Sequence, residues 1–264
     1  MRELKILCWN VSGVRAVRAK GFLEWLYRES PDILCLQETK AQPEQLDPEL
    51  RQPKGYHAYW NSPKQAKGYS GVALFSKEQP LHIQYGFGIE EFDTEGRTII
   101  ANYPGFSLLN IYFPNGKKDA TRLKYKLDFY DVFLQFVKPL KEKGEKLVVC
   151  GDFNTAHKEI DIARPKENAK VSGFLPIERA WMDKYVAHGF VDTFRHFNKE
   201  PNHYTWWDLK TRARERNVGW RIDYFFVTEN LLPQIKNALI MTDVTGSDHC
   251  PVGIILRIDQ YFLA

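Results

Sequence analysis

The stretch LVVCGDFNTAH, Leu147–His157, decides how the rest of the chain is read. Leu147, Val148, Val149 and Cys150 form an apolar, strand-forming run that ends abruptly in Gly151-Asp152-Phe153-Asn154. Such a run reads as a buried strand, and glycine lets the backbone turn tightly or approach a ligand. Asp152 and Asn154 flank Phe153, so an extended backbone would point both side chains the same way. A carboxylate and a carboxamide together at a strand end can grip and deprotonate a water. The plainer reading is turn chemistry, since Asp and Asn commonly follow strands. Other parts of the chain decide between the two.

The 264 residues are 44% hydrophobic and 27% charged, enough apolar material for a sizeable core. Net charge is +4 with a pI near 8.7, which permits a polyanionic partner without demanding one. Cys8, Cys35, Cys150 and Cys250 are far apart, each in or beside an apolar run, and no pair has zinc-finger spacing. Buried free thiols in a reducing cytosol are expected. Charged residues and then a strand follow Met1, so no signal peptide is expected, and no stretch approaches a membrane span. The chain is therefore expected inside the cell, cytoplasmic (nucleoid-associated) or nuclear, not secreted and not in a membrane.

Apolar runs at Leu4–Trp9, Asp32–Leu36, Tyr56–Trp60, Gly71–Ser76, Thr98–Tyr103, Phe106–Phe113, Tyr204–Trp207, Arg221–Thr228, Ala238–Val244 and Val252–Ile258 read as further strands. Helical spacing is predicted over Arg15–Glu29, Asp119–Lys143 and Pro176–His188. Lys64–Tyr69 reads as a basic loop, Tyr85–Gly88 as irregular and Lys158–Ser172 as a long polar loop. The lysines and arginines at 117, 118, 122, 124 and 126 read as a solvated helix face. With no repeat or linker, one domain spanning 1–264 is expected. Strands that are apolar nearly throughout suit a sheet covered on both faces.

Polar groups recur at strand ends or inside strands: Asn10, Glu38, Asp152 with Asn154, Asp223, and Asp248 with His249. Scattered acids and one histidine are what a magnesium-dependent phosphoester hydrolase needs. Mg²⁺ takes hard oxygen ligands, a base must hold the attacking water, and donors must stabilise the charge on phosphorus. Glu38 alone could be a solvated strand end. Asp223, inside the apolar run RIDYFF, needs a partner, and His249 is a candidate. A zinc site would compete for His249, but no second His or Cys stands at ligand spacing.

The segments WNVSGVRA (Trp9–Ala16), LQETK (Leu36–Lys40), GYSGVAL (Gly68–Leu74), NIYFPNG (Asn110–Gly116), GDFNTAHKEID (Gly151–Asp161), NVGWRIDYF (Asn217–Phe225) and GSDHCP (Gly246–Pro251) resemble the exonuclease III family of apurinic/apyrimidinic (AP) endonucleases. Seven motifs in order span nearly the whole chain. The resemblance implies an α/β four-layer sandwich of the DNase I-like, endonuclease/exonuclease/phosphatase kind: two packed mixed β-sheets flanked by helices. It implies hydrolysis of the phosphodiester 5′ to abasic sites in double-stranded DNA by a monomer, leaving a 3′-hydroxyl and a 5′-deoxyribose phosphate. Mg²⁺, with Mn²⁺ as a substitute, would be the cofactor.

It also implies roles. Glu38 matches the principal Mg²⁺ ligand, with Asn10 and Asp248 nearby. Asp152, supported by Asn154, matches the group that deprotonates water. His249 matches a phosphate contact and Asp223 its carboxylate partner. Tyr112, Asn115 and Asn168 match further phosphate contacts. Arg15, Ala16, Lys20, Tyr69 and Arg97 match positions that grip DNA, and Trp206, Trp220 and Ile222 match a pocket for an extrahelical sugar. Ser12 stands where many members carry Asp or Asn, and Trp206 where a smaller aromatic occurs; the larger ring suggests incision at deoxyuridine or damaged bases as an extension. The resemblance also implies 3′→5′ exonuclease and 3′-end-cleaning activity. The rivals are a phosphoinositide phosphatase or sphingomyelinase on the same fold, and a non-catalytic lesion-binding module.

Overall fold

The computed structural model describes residues 1–64 and 67–259. The strands in chain order are β1 (Arg2–Asn10), β2 (Ile33–Gln37), β3 (His57–Asn61), β4 (Val72–Ser76), β5 (His82–Tyr85), β6 (Thr98–Tyr103), β7 (Phe106–Tyr112), β8 (Leu147–Asp152), β9 (Phe190–Asp192), β10 (Trp206–Trp207), β11 (Gly219–Trp220), β12 (Asp223–Thr228), β13 (Ile235–Ile240) and β14 (Val252–Ile258). They build two six-stranded sheets, ordered β13-β14-β1-β2-β4-β3 and β5-β6-β7-β8-β12-β9, with β10-β11 as a separate hairpin-like pair.

Alternation along the strands builds the layers. Ile6 and Cys8 of β1 and Val148 and Cys150 of β8 point between the sheets, into one core with Cys35, Leu74, Leu108, Phe225 and Ile254. Leu7 and Trp9 point the other way, where helices Val14–Arg18 and Phe22–Glu29 bring Val17, Trp25 and Leu26 onto them. Val149 on β8 likewise meets Phe129, Phe133, Met182 and Tyr185 from helices Ala120–Glu142 and Pro176–Ala187. The result is helix, sheet, sheet, helix: the expected four-layer α/β sandwich of the DNase I-like fold. The four cysteines are buried free thiols, and no described helix is long and apolar enough to cross a membrane.

Each sheet is antiparallel except for one central pair. β1 runs parallel to β2, with Asn10 opposite Gln37, and β7 runs parallel to β8, with Tyr112 opposite Asp152. The carboxyl ends of both parallel pairs therefore open on the same edge of the sandwich. The antiparallel β12 begins there too, since Asp223 stands opposite Asp152.

Four expectations change. The helix read over Arg15–Glu29 is two helices, broken where Gly21 takes φ 89°. His82–Tyr85 is an edge strand, and β13 lies three residues earlier than the Ala238–Val244 reading. The polar loop Lys158–Ser172 contains a 3-10 turn at Glu159–Asp161 and a helical turn at Pro165–Asn168. Of the basic loop Lys64–Tyr69, residues 65 and 66 lie outside the described residues.

Candidate active site

Gly151 places Asp152. Its φ is +147°, and a Cβ there would overlap the Ile111 carbonyl oxygen on the parallel neighbour β7. Only glycine lets β8 lie that close to β7 just before the carboxylate. The chain then leaves the extended region, with Asn154 at φ 51°. Asp152 and Asn154 are therefore not successive same-face residues of a strand, which corrects the alternation argument. Instead the Asn154 backbone N–H donates to Asp152 Oδ1 at 2.7 Å, an Asx turn. The turn reading and the functional reading hold together, because both side chains still line one cavity.

That cavity, about 220 Å³, is lined by Glu38, Tyr112, Asn115, Lys117, Asp152, Asn154, Gly173, Trp206, Trp220, Ile222, Asp248 and His249. Two larger hollows of about 470 Å³ lie elsewhere. One is lined by Trp9, Phe22 and Trp25. In the other, Asp161 and Asp192 are already paired with Arg195 and Arg221. The smaller cavity joins the acidic groups and His249 to an apolar wall.

Glu38 follows β2 in the left-handed region, φ 55°, as do Ser12 and Lys40 nearby. Such conformations cost about 1–3 kcal/mol and gather at functional sites. The turn brings the Glu38 carboxylate to Asn10 Nδ2 (3.0 Å) and Lys40 Nζ (2.7 Å). The same Asn10 Nδ2 donates to Asp152 Oδ2 at 2.8 Å, so one amide links the two carboxylates. Asn10 Oδ1 accepts from the Ser12 backbone N–H. Asn10 thus ties Glu38 to Asp152, and its Oδ1, with one lone pair engaged by the Ser12 N–H, keeps a second.

Asp223 and His249 meet as the sequence suggested. His249 Nδ1 lies 2.8 Å from Asp223 Oδ2, which also accepts from Thr205 Oγ1 at 2.6 Å. Nε2 faces Asp152 Oδ2 at 3.9 Å. Trp9 Nε1 donates to the His249 carbonyl and holds its backbone. Burial alone would lower the His249 pKa, but Asp223, Asp152 and Asp248 overcome it and carry it up to about 10. The imidazole is thus a cation at neutral pH. Burial and the charge of Asp223 push the Asp152 carboxyl up to about 7, against His249 and the Asn154 and Asn10 bonds. Burial also raises Asp248, but His249 and the Trp206 indole N–H (3.0 Å) outweigh it and the net shift is downward. Tyr112 is held well above its ordinary value by burial and by Glu38, so it stands as a phenol with a proton to donate.

Among the described residues Asp152, Asp223 and His249 form one group whose ligand atoms lie within 4.8 Å of one another. A metal there fits poorly. His249 Nδ1 and Asp223 Oδ2 engage each other, and a protonated imidazole has no lone pair for a cation. The donor set at Glu38 fits better. Glu38 and Asp248 both line the cavity and offer hard carboxylate oxygens, and a cation at Glu38 would displace the Lys40 ammonium from it.

The apolar side of the cavity is the Trp206–Trp220 pair, joined across β10 and β11 with rings at 89° and centroids 6.0 Å apart, together with Ile222. Asn115 Nδ2 donates to Asn154 Oδ1 at 2.9 Å, which sets one amide against the other.

Not every candidate reaches the cavity. Arg15, Ala16 and Lys20 are exposed outside it, and Lys20 Nζ donates to the Gly246 carbonyl. Asn168 caps its own turn through Arg164 and does not line the cavity. The expectation that Arg97 grips DNA does not fit its position: it is 1% exposed. Its guanidinium bonds Glu95, the Tyr112 carbonyl (3.0 Å) and Tyr69 Oη (2.8 Å). Arg97 fixes Tyr112 and Tyr69 from behind. Conversely Lys117 lines the cavity and was read only as part of a charge run, while Thr205 carried no signal within an aromatic run.

A model of the endonuclease/exonuclease/phosphatase family matches residues 7–249. The chain is 45% identical to a Bacillus subtilis exodeoxyribonuclease over 97% of its own length and 100% of that protein's. It is 42% identical to the Danio rerio DNA repair nuclease APEX1 over 97% of this chain and 83% of that one. The crystal structure of an AP endonuclease from Leishmania major superposes with TM-score 0.89 at 28% identity, covering 98% of this chain and 89% of the other.

Proposed function

The chain belongs to the endonuclease/exonuclease/phosphatase family, and on that premise we propose that it is a DNA-repair nuclease that hydrolyses the phosphodiester 5′ to an abasic site in duplex DNA. The observation that carries this reading is one cavity with a hydrolytic set on one side and two indoles and an isoleucine on the other. A phosphate at the polar wall leaves its neighbouring sugar facing the apolar wall, and a sugar without a base fits where a nucleotide does not.

Asp152, held by Asn10 and by the Asn154 N–H, takes the proton of the attacking water. The His249 cation, kept in place by Asp223, balances the charge that builds on the non-bridging oxygens. The Tyr112 phenol and the Asn154 and Asn115 amides donate to the same phosphate. Glu38, with Asn10 and Asp248 nearby, would hold a divalent cation, Mg²⁺ by ligand type, which would supply Lewis acidity at the phosphate. The products are a 3′-hydroxyl and a 5′-deoxyribose phosphate. Removal of groups from a 3′ end, and 3′→5′ exonuclease action, use the same phosphate site with one strand ended. Exposed Arg15 and Lys20 suit sequence-independent phosphate contacts.

The test is substrate choice. A duplex carrying one tetrahydrofuran abasic analogue, an undamaged duplex and an inositol phosphate are each incubated with Mg²⁺ and with EDTA. A nick 5′ to the analogue, seen only with Mg²⁺, is expected. Release of phosphate from the inositol with both duplexes intact would replace this reading with a phosphatase.

A further inference from the structure

Lys117 stands apart from the other lysines at the site. Lys126 Nζ is shared among three oxygens, Lys40 Nζ is paired with Glu38, and Lys20 Nζ is bonded to a carbonyl. Lys117 Nζ makes no hydrogen bond or ion pair among the described residues. It lies 4.9 Å from the ring centroid of Trp206 and 4.9 Å from that of Trp220, so the amine sits over both indoles of the apolar wall. Its backbone is held, because the Lys117 backbone N–H donates to Asn115 Oδ1 at 2.8 Å. Although the residue as a whole is exposed, its ammonium is crowded enough that loss of water lowers its pKa, opposed by Asp152 and Glu178. A cation held only by π-faces is charge-stabilised, yet it is free to release its proton without breaking a hydrogen bond.

An abasic sugar is a cyclic hemiacetal that opens to a C1′ aldehyde. An amine in a partly dry, apolar pocket is the side chain that adds to carbonyls. We propose that Lys117 is a nucleophile toward the ring-opened abasic sugar and tethers it reversibly as an imine; this rests on the abasic-site reading above. The ammonium first gives a proton to solvent. The Nζ lone pair then forms a bond to C1′ while the carbonyl electrons move to oxygen, which takes a proton. The nitrogen gives up its two protons, through solvent, as the oxygen takes a second and leaves as water; a C1′=N double bond remains, and water reverses every step. No oxidant or reductant is consumed. The tether distinguishes a natural abasic site, which has an aldehyde form, from the tetrahydrofuran analogue, which has none.

The experiment uses the full chain in EDTA with sodium cyanoborohydride, whose hydride reduces an imine to a stable secondary amine. A duplex with a natural abasic site is expected to give a covalent protein–DNA band, and the tetrahydrofuran duplex none. Lys117→Arg keeps the cation over the two indoles but lacks a condensable amine. It should cut the adduct at least ~10-fold while still binding the tetrahydrofuran duplex. Lys118→Arg should leave the adduct in place, and peptide mapping should find the modified residue at Lys117. No adduct from a protein that nicks the analogue with Mg²⁺, an adduct undiminished in Lys117→Arg, or an adduct mapping elsewhere overturns the inference alone. Failure to bind or nick either abasic duplex overturns the abasic-site reading and the inference with it.

Discussion

Lys126→Met tests how the hydrolytic loop is anchored. Lys126 and Glu178 form an ion pair at 2.6 Å with both side chains 0% exposed. Lys126 also donates to the Asn154 carbonyl (2.7 Å) and Thr155 Oγ1 (2.8 Å), so it ties helix Ala120–Glu142 to the segment that carries Asn154. Glu178 in turn accepts from Ser172 Oγ and from the Gly173 and Leu175 backbone N–H groups. Methionine fills much of the lysine's volume, so the main loss is electrostatic: a buried carboxylate left without its cation. Breaking such a pair costs about 3–5 kcal/mol, a large part of a typical stability of ~5–15 kcal/mol. The variant should remain folded at 25 °C but unfold at clearly lower urea. In Lys126→Met with Glu178→Gln the stranded charge is gone while amide bonding to the loop persists. The double variant should therefore be more stable than the sum of the two single losses by at least ~1 kcal/mol. Urea titrations of the four proteins measure this. A loss below ~1 kcal/mol in the single variant, the range of exposed pairs, or strict additivity in the cycle, would refute the reasoning.

Further predictions follow from the same geometry. Asp223→Asn removes the largest influence raising His249, so its pKa should fall from about 10 toward its ordinary value; imidazole NMR titration reads this directly, and an unchanged value would contradict it. A folded-state pKa above the unfolded one means that stabilisation by protonated His249 is full below pH 6.5 and is lost as pH rises through about 10. In Asp223→Asn the two pKa values come together, so this pH-dependent contribution between about 6.5 and 10 should shrink, and thermal unfolding across that range reads the difference. Arg15→Ala should reduce the salt dependence of duplex binding by about one unit of slope. Arg97→Met should lower stability and leave that slope unchanged, because its guanidinium is buried against Glu95 and Tyr112. Gly151→Ala should lower the melting temperature or block folding, since its Cβ overlaps the Ile111 carbonyl; a wild-type melting curve would show that β8 can move aside.

The strands that carry the site were legible because burial on two faces leaves long apolar runs, as in β7 and β8, which are buried throughout. The edge strand His82–Tyr85 was not, because it is half exposed and has no such run. β13 was misplaced for a related reason: Lys236 and Asn237 are exposed and look like loop. The carboxylates, Asn10 and the Asp223–His249 pair were legible as polar groups set against apolar strand ends. Their connections were not, since one Asn10 amide joining Glu38 to Asp152 depends on a packing of two sheets that no local pattern encodes. Lys117 was hidden among neighbouring lysines, and only the placement of the β10–β11 pair separates it from them. For Arg97 the family resemblance implied a DNA contact, whereas its guanidinium is buried against Glu95 and the Tyr112 carbonyl.

The central claim is that Glu38 and Asp152 perform hydrolysis at this cavity. Single-turnover incision of a tetrahydrofuran duplex in Mg²⁺ by the wild type, Glu38→Gln and Asp152→Asn, with duplex affinity measured beside it, tests that claim most directly. Both substitutions are nearly isosteric and remove a charge. The rate should fall by roughly 10²–10⁴ for Asp152→Asn, the range for a lost general base. It should also fall steeply for Glu38→Gln, and affinity should hold in both. Incision at the wild-type rate by either variant would place the chemistry elsewhere.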